Sequence, residues 1–311
     1  MRSIHLSLIV AGALTAAVAD SAHAAESASG AYLLGLRGQG AGITPPPGVF
    51  FSNQTLIYKG EANANVSLSN GDVGVNVTIK PTVDIPTLLW VTPAEVFGGN
   101  LGFGLTVPFG HVDVRATVVP LGAVHDDVFT VADPSLGMFV GWHAGDFHLQ
   151  TGVTTFIPIG DYQEGEIANL AKHRLAADVY GALTWFNPES GIDFTNIVGV
   201  TFNAENEVTD YKTGTEFHWE GSLTKKIGDS FYIGALGYYY NQLTGDSGDG
   251  AALGDFKGEV AAIGATVGLD YKLGQTPVST RIRYYHEFDA INRVEGDAVF
   301  LSTSFPLWID R

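Results

Sequence analysis

With 311 residues, no cysteine and a net charge of −17, the chain can form neither disulfides nor a thiolate metal centre. It also lacks the basic face that phosphate neutralisation requires, so nucleic acid is excluded as a partner. The acid excess is read as solvation of surface loops, while 39 glycines and 11% aromatics fit a curved β-sheet with rings at two lipid–water boundaries.

Arg2, an apolar run over residues 6–18 and Ala22-His23-Ala24 read as a secretory signal with its cleavage site, so residues 1–24 are set outside the fold. That run is too short to span a bilayer, and no later stretch has the roughly 18–20 continuous apolar residues of a membrane helix. Residues 25–48 read as an N-terminal arm ending in Pro45-Pro46-Pro47-Gly48, whose rings cannot donate to a ladder. Entry of this arm into the barrel as a plug is one reading of it.

Strands are expected at 49–59 and 73–91, separated by a polar loop over 60–72. A turn with one helical twist is expected at 92–98. Residues 101–119 alternate cleanly, but the apolar set passes from Leu101, Phe103, Leu105, Val107 and Phe109 to Val112, Val114, Ala116 and Val118. A bulge at Gly110 would account for the change and would turn His111, Asp113 and Arg115 inward. A loop over 120–134 follows. The remaining strands pair through short turns: 136–143 with 147–158, 174–186 with 192–203, and 216–227 with 231–243. Residues 259–288 form a last hairpin closed at Gly274, with 296–305 as the final strand.

Twelve strands from residue 49 onward, with short turns alternating with long polar loops, give an even-numbered transmembrane antiparallel β-barrel over residues 49–311. On its outer parity stand Trp142, Phe147, Trp185, Phe194, Trp219 and Tyr284, with Phe202 and Phe217, as candidates for the headgroup girdles. The opposite parity of the C-terminal strands carries Glu216, His218, Glu220 and Lys226, then Asp270 and Lys272, then Arg281, Arg283 and Glu287. Both signs interleave on one side of the sheet, and these residues are expected to line the lumen. Twelve strands lie between the filled eight-stranded barrel and the open sixteen-stranded porin, so a constricted passage is expected.

Two arrangements that imitate catalytic sites are set aside. Gly245-Asp246-Ser247-Gly248 resembles a serine-protease nucleophile loop, but Asp249 follows where a second glycine belongs and no His/Asp partners have recognisable contexts. His218 and Glu220, with Glu216 beside them, share a strand face at a spacing that could seat a metal or an acid/base pair, yet no further convergent ligand is identifiable, and the polar lining of a lumen is preferred. No metal or cofactor is expected.

Residues 203–218 (Asn203 through His218), 237–248 (Gly237-Tyr238-Tyr239-Tyr240 onward) and 287–293 (Glu287-Phe288-Asp289-Ala290-Ile291-Asn292-Arg293), together with the Pro-Pro-Pro-Gly of the arm, resemble outer-membrane proteins associated with phenol meta-pathway degradation. The resemblance implies a Gram-negative outer-membrane channel accompanying aromatic catabolism, loosely comparable to fatty-acid-type hydrocarbon transporters. The expected function is passive uptake of small hydrophobic or aromatic compounds. The expected surroundings are outer-membrane lipid and lipopolysaccharide; oligomeric state is left open. Two alternatives remain at this stage: an outer-membrane lipid or ester hydrolase using His218, and a structural or surface-binding barrel with a blocked lumen.

Overall fold

The computed structural model describes residues 29–68, 71–119, 122–251 and 254–310. The signal sequence expected at 1–24 lies outside them. Fourteen antiparallel strands account for most of the chain: β1 Gly48–Leu68, β2 Gly71–Val96, β3 Gly99–Thr106, β4 Phe109–Val119, β5 Gly122–Val131, β6 Ser135–Ala144, β7 Phe147–Phe156, β8 Ala176–Asn187, β9 Ile192–Asn203, β10 Glu216–Ile227, β11 Phe231–Gln242, β12 Glu259–Leu273, β13 Thr276–Ile291 and β14 Glu295–Ile309. Every neighbour pair is antiparallel, and β1 pairs with both β14 and β2, which closes the cylinder.

Twelve strands make the closed wall and two, β4 and β5, are added to it. β3 and β4 run in succession along β2, β3 on its later half and β4 on its earlier half. β5 pairs with β4, and β6 pairs with β3. β4 and β5 are therefore upward continuations of β3 and β6. They stand beside the long β1–β2 hairpin and raise one side of the wall above the rest. The loops expected at 60–72 and 120–134 are thus mostly strand. Polar side chains such as Glu61, Asn63, His125 and Asp127 stand exposed on these strands, a composition that sequence alone scores as loop. The helical twist expected before Gly98 is also strand, since β2 runs to Val96 before a turn in which Phe97 and Gly98 both take positive φ.

Each continuation is interrupted at a proline. Val107 donates to the carbonyl of Pro86 (3.2 Å), Ala132 to that of Pro108 (2.9 Å) and Ile157 to that of Pro134 (2.9 Å). Proline has no N–H to return, so the regular ladder lapses there and resumes beyond.

No bulge occurs at Gly110, which pairs with Val83 in an unbroken register. Phe103, Leu105, Val107 and Phe109 face outward, and the same parity continues outward through His111, Asp113 and Arg115. Val112, Val114, Ala116 and Val118 face inward and are buried against Val75 and Val77. The expectation that His111, Asp113 and Arg115 point inward is thereby corrected. What changes at Gly110 is the polarity of the outward side chains, not the phase of the strand.

Below that level the outer face is apolar all round. Leu183, Val198, Leu223, Ile233, Val267 and Leu301 are among its exposed side chains, with Phe147, Phe194, Phe202, Trp219 and Tyr284 of the expected girdle. A water-soluble fold would bury these side chains; here they form the belt that acyl chains would cover. No helix among the described residues is long and apolar enough to cross a membrane, so the strands do the crossing.

Candidate functional site in the lumen

Residues 29–47 run through the interior of the cylinder and are tied to the inward faces of β7, β8, β9, β10 and β13. The Tyr32 hydroxyl donates to Glu220 Oε1 at 2.7 Å, and the Gly35 N–H donates to the same oxygen at 3.2 Å. The Tyr32 ring lies flat on His218, with centroids 3.9 Å apart, and His218 Nε2 meets Asp178 Oδ1 at 2.9 Å. Further along, the Gly40 N–H donates to Thr195, the Gly42 N–H to Thr184, and Gln150 to Thr44. From β13, Arg283 Nη1 reaches three successive arm carbonyls: Gly35 (2.7 Å), Leu36 (3.2 Å) and Arg37 (3.1 Å). A guanidinium suits this place because its rigid fan of donors can serve several carbonyls at once.

Two glycines make room for this packing. Gly199 on β9 faces His218 across the ladder, and a side chain there would overlap the imidazole. At Gly42 a Cβ would stand 2.6 Å from the His148 carbonyl and 2.8 Å from the Thr184 N–H. The arm can lie against the wall there only because it lacks one.

The residues singled out in the sequence separate into three places. Glu216, His218, Glu220, Arg283 and Glu287 are buried on the inward face. Glu216 accepts from Tyr240 (2.7 Å) and Asn203 (2.9 Å), and Glu287 from Tyr58 (2.6 Å), Tyr238 (2.7 Å) and the Gly296 N–H (2.9 Å). Asp270 and Arg281 form an ion pair at 2.8 Å toward the short-turn end. Arg281 lies over the Tyr232 ring at 4.2 Å and Lys226 approaches the same ring at 5.5 Å. Lys272 stands exposed beside the Gly274 turn, apart from the others.

The sequence reading missed that part of the inner wall is apolar. Leu56, Val83, Ile85, Tyr238, Tyr285 and Phe300 form a buried cluster with Tyr32 and Leu34 of the arm. In β11 both parities are apolar, so Tyr238 and Tyr240 had no polar counterpart to mark them as inward. The available signal was their pairing with Ala262 and Val260, small and apolar residues on the neighbouring inward face. Arg37 and Arg293 were likewise missed, because neither sits on a strand.

Above the arm lies a cavity of about 1090 Å³. One side is the apolar inner wall of β2 and β4, including Val83, Ile85, Val112 and Val114; the other is closed by segments of the β7–β8 and β11–β12 connections, among them Tyr162, Leu170 and Phe256. Among the described residues no cluster of three or more His, Asp or Glu is arranged to hold a metal ion.

A closed antiparallel cylinder, apolar outside and crossed internally by its own N-terminal segment, is an outer-membrane β-barrel. The family model for the putative MetA-pathway of phenol degradation matches residues 63–303, and the chain belongs to that family. Its fold is similar to that of an outer-membrane channel from Pseudomonas putida F1, with a TM-score of 0.67 at 13% identity over 84% of this chain and 96% of that one. It is also similar to the transport unit of the autotransporter AIDA-I from Escherichia coli, with a TM-score of 0.50 at 12% identity over 88% of this chain and 92% of that one. At such identities the likeness speaks for the fold alone. Comparison with proteins of curated function gives no match.

Proposed function

We propose that the protein is a passive outer-membrane channel through which small hydrophobic or aromatic compounds enter the cell. The observation that carries this reading is the 1090 Å³ cavity with its valine and isoleucine wall, placed above an arm that narrows the lumen below it. An apolar recess reached from outside concentrates nonpolar solutes by the same transfer free energy that drives burial in a core. The description of the family, which refers to phenol degradation, and the similarity in fold to an outer-membrane channel of Pseudomonas putida support this reading.

In this reading export follows the signal sequence at 1–24, lipid and lipopolysaccharide surround the belt, and residues 25–48 act as a plug around which solute must pass. Glu216, His218, Glu220, Lys226, Asp270, Lys272, Arg281, Arg283 and Glu287 serve as the polar lining and as anchors of the plug. Transport has no covalent step. His218, the residue a hydrolase would use, is shut beneath the Tyr32 ring and is 1% exposed, a poor position for attacking a lipid ester.

The test is permeability. Protein refolded into liposomes is expected to admit small neutral aromatic solutes faster than sugars of the same size. Properly folded protein that admits neither would overturn the channel.

A further inference from the structure

The polar groups around the cavity are unequally satisfied. Three of its carboxylates already have donors from the protein. Glu287 holds two tyrosine hydroxyls and an N–H, Asp133 accepts the N–H groups of Gly160, Lys172 and His173, and Asp126 accepts that of Ala168. Two guanidiniums on the same cavity are in the opposite position. Arg37 lies 3.2 Å from the Tyr180 centroid and donates one bond, to Thr154, while its Nη1 has no acceptor. Arg293 lies 4.2 Å from the Tyr240 centroid, and its Nε and Nη1 have none.

Neither guanidinium has a carboxylate within ion-pair distance among the described residues, in a chain where Asp and Glu number 33 against 16 Lys and Arg. Acid was not in short supply. Of the carboxylates that temper the two charges, Glu216 and Glu287 beside Arg293 hold tyrosine, asparagine and backbone donors, while Asp178 and Glu220 beside Arg37 each keep one oxygen, Oδ2 and Oε2, without a donor. Arg293 also lines a second, polar cavity of about 550 Å³ shared with Lys59, Asn63, His286 and Asp297, so it stands between the outer pocket and the apolar one.

We propose that the larger cavity binds a small apolar carboxylate, a benzoate-like or alicyclic acid, with its ring against Val83, Ile85, Val112 and Val114 and its carboxylate taken by Arg293 and Arg37. This deepens the channel reading and rests on it for its physiological meaning, but binding is measurable by itself. A rotation about the terminal torsions of either arginine presents its fork to the cavity, and a planar fork matches a carboxylate with two parallel bonds. A neutral phenol or alcohol fits less well, because its hydroxyl offers these donors one uncharged acceptor in place of two charged oxygens. The ring of the ligand is served equally by the wall in both cases. The selectivity therefore comes from the unsatisfied donors.

The experiment is calorimetric titration of the full-length, detergent-folded protein with benzoate and with benzyl alcohol, alongside the R37Q, R293Q and doubly substituted variants. Benzoate is expected to bind about tenfold more tightly than benzyl alcohol at neutral pH, the order of effect that a hydrogen bond to a charged group supports. That preference should vanish in the double variant and on acidification that protonates the ligand. Equal binding of the two ligands to the unsubstituted protein, or an undiminished preference in the double variant, overturns the proposal. Should the glutamine variants fail to fold, the two-ligand comparison on the unsubstituted protein decides alone. Liposome flux of both solutes separates this proposal from the channel: flux of benzyl alcohol without a benzoate preference removes the site and leaves the channel. Arginine-dependent benzoate binding without flux of either solute removes the channel and leaves the site.

Discussion

Arg283 is the side chain on which the position of the arm most depends. Buried on β13, it donates to three consecutive carbonyls of the arm and also to Gln54 on β1. Replacing it with glutamine leaves most of these acceptors without a charged donor, and each such bond is worth about 1.5–3 kcal/mol. The R283Q variant should therefore keep its barrel, seen as anomalous migration of unboiled protein on a denaturing gel, while the arm becomes more open to protease. An arm as protected as before would show that Arg283 is dispensable. Gly199 sets the opposite constraint. An alanine there would overlap His218 and stand 3.1 Å from Asp178, and overpacking of this kind costs about 1–3 kcal/mol. G199A should lower the barrel's unfolding midpoint without changing its lipid-facing surface.

At the scale of the element, the β4–β5 extension carries the clearest lesson. Its alternation is regular and easily read from sequence, but the meaning of each parity depends on what lies outside the wall. In lipid the outward residue is apolar, as at Leu183 (47% exposed); in water it is polar, as at Asp113 and Thr117. A rule that the nonpolar parity faces out holds for β8 and fails for β4, because sequence gives the period but not the height of the membrane. That is why the twelve-stranded barrel was legible, with the polar parity of β10 and β13, while the two added strands were not. Leu183→Arg should cost about 2–4 kcal/mol of barrel stability, the range for a cation on the lipid face near the bilayer centre. Thr117→Arg should be nearly neutral. Equal costs in vesicle unfolding titrations would place the extension in lipid. The same hairpin holds a titrating pair, Asp113 with His125 at 2.7 Å, and the hydrogen bond from His125 keeps the Asp113 carboxyl below its ordinary range. A lowered carboxyl contributes stability above its unfolded-state value and loses it as pH falls through the folded one. H125A should return the Asp113 midpoint upward, toward the ordinary carboxylate range, by carboxyl-carbon NMR. Because the pair is largely exposed, the effect on unfolding should be small and screened by salt.

The whole molecule is a cylinder whose contents come from the chain segment that precedes its first strand. Counting strands could not reveal this, since the arm makes its bonds through isolated N–H groups, a set of carbonyls and scattered side chains such as Tyr32, Arg37 and Thr44, none of which carries a periodic signature. Only the prolines at 45–47 and the crowding of both charge signs on the inward parity hinted that something other than water fills the lumen. The wall does not need the arm for closure, because β1 pairs with β14 and β2 without it. Its removal would expose Glu220, His218 and Arg283 to water, which solvates charged groups better than a dry interior does. Deletion of residues 25–47 should therefore leave a folded barrel and raise single-channel conductance in planar bilayers several-fold, with larger fluctuations as the freed polar wall hydrates. Unchanged conductance would mean that the remaining inner side chains and the loops above them close the lumen by themselves, and the structural-barrel alternative would then displace the channel.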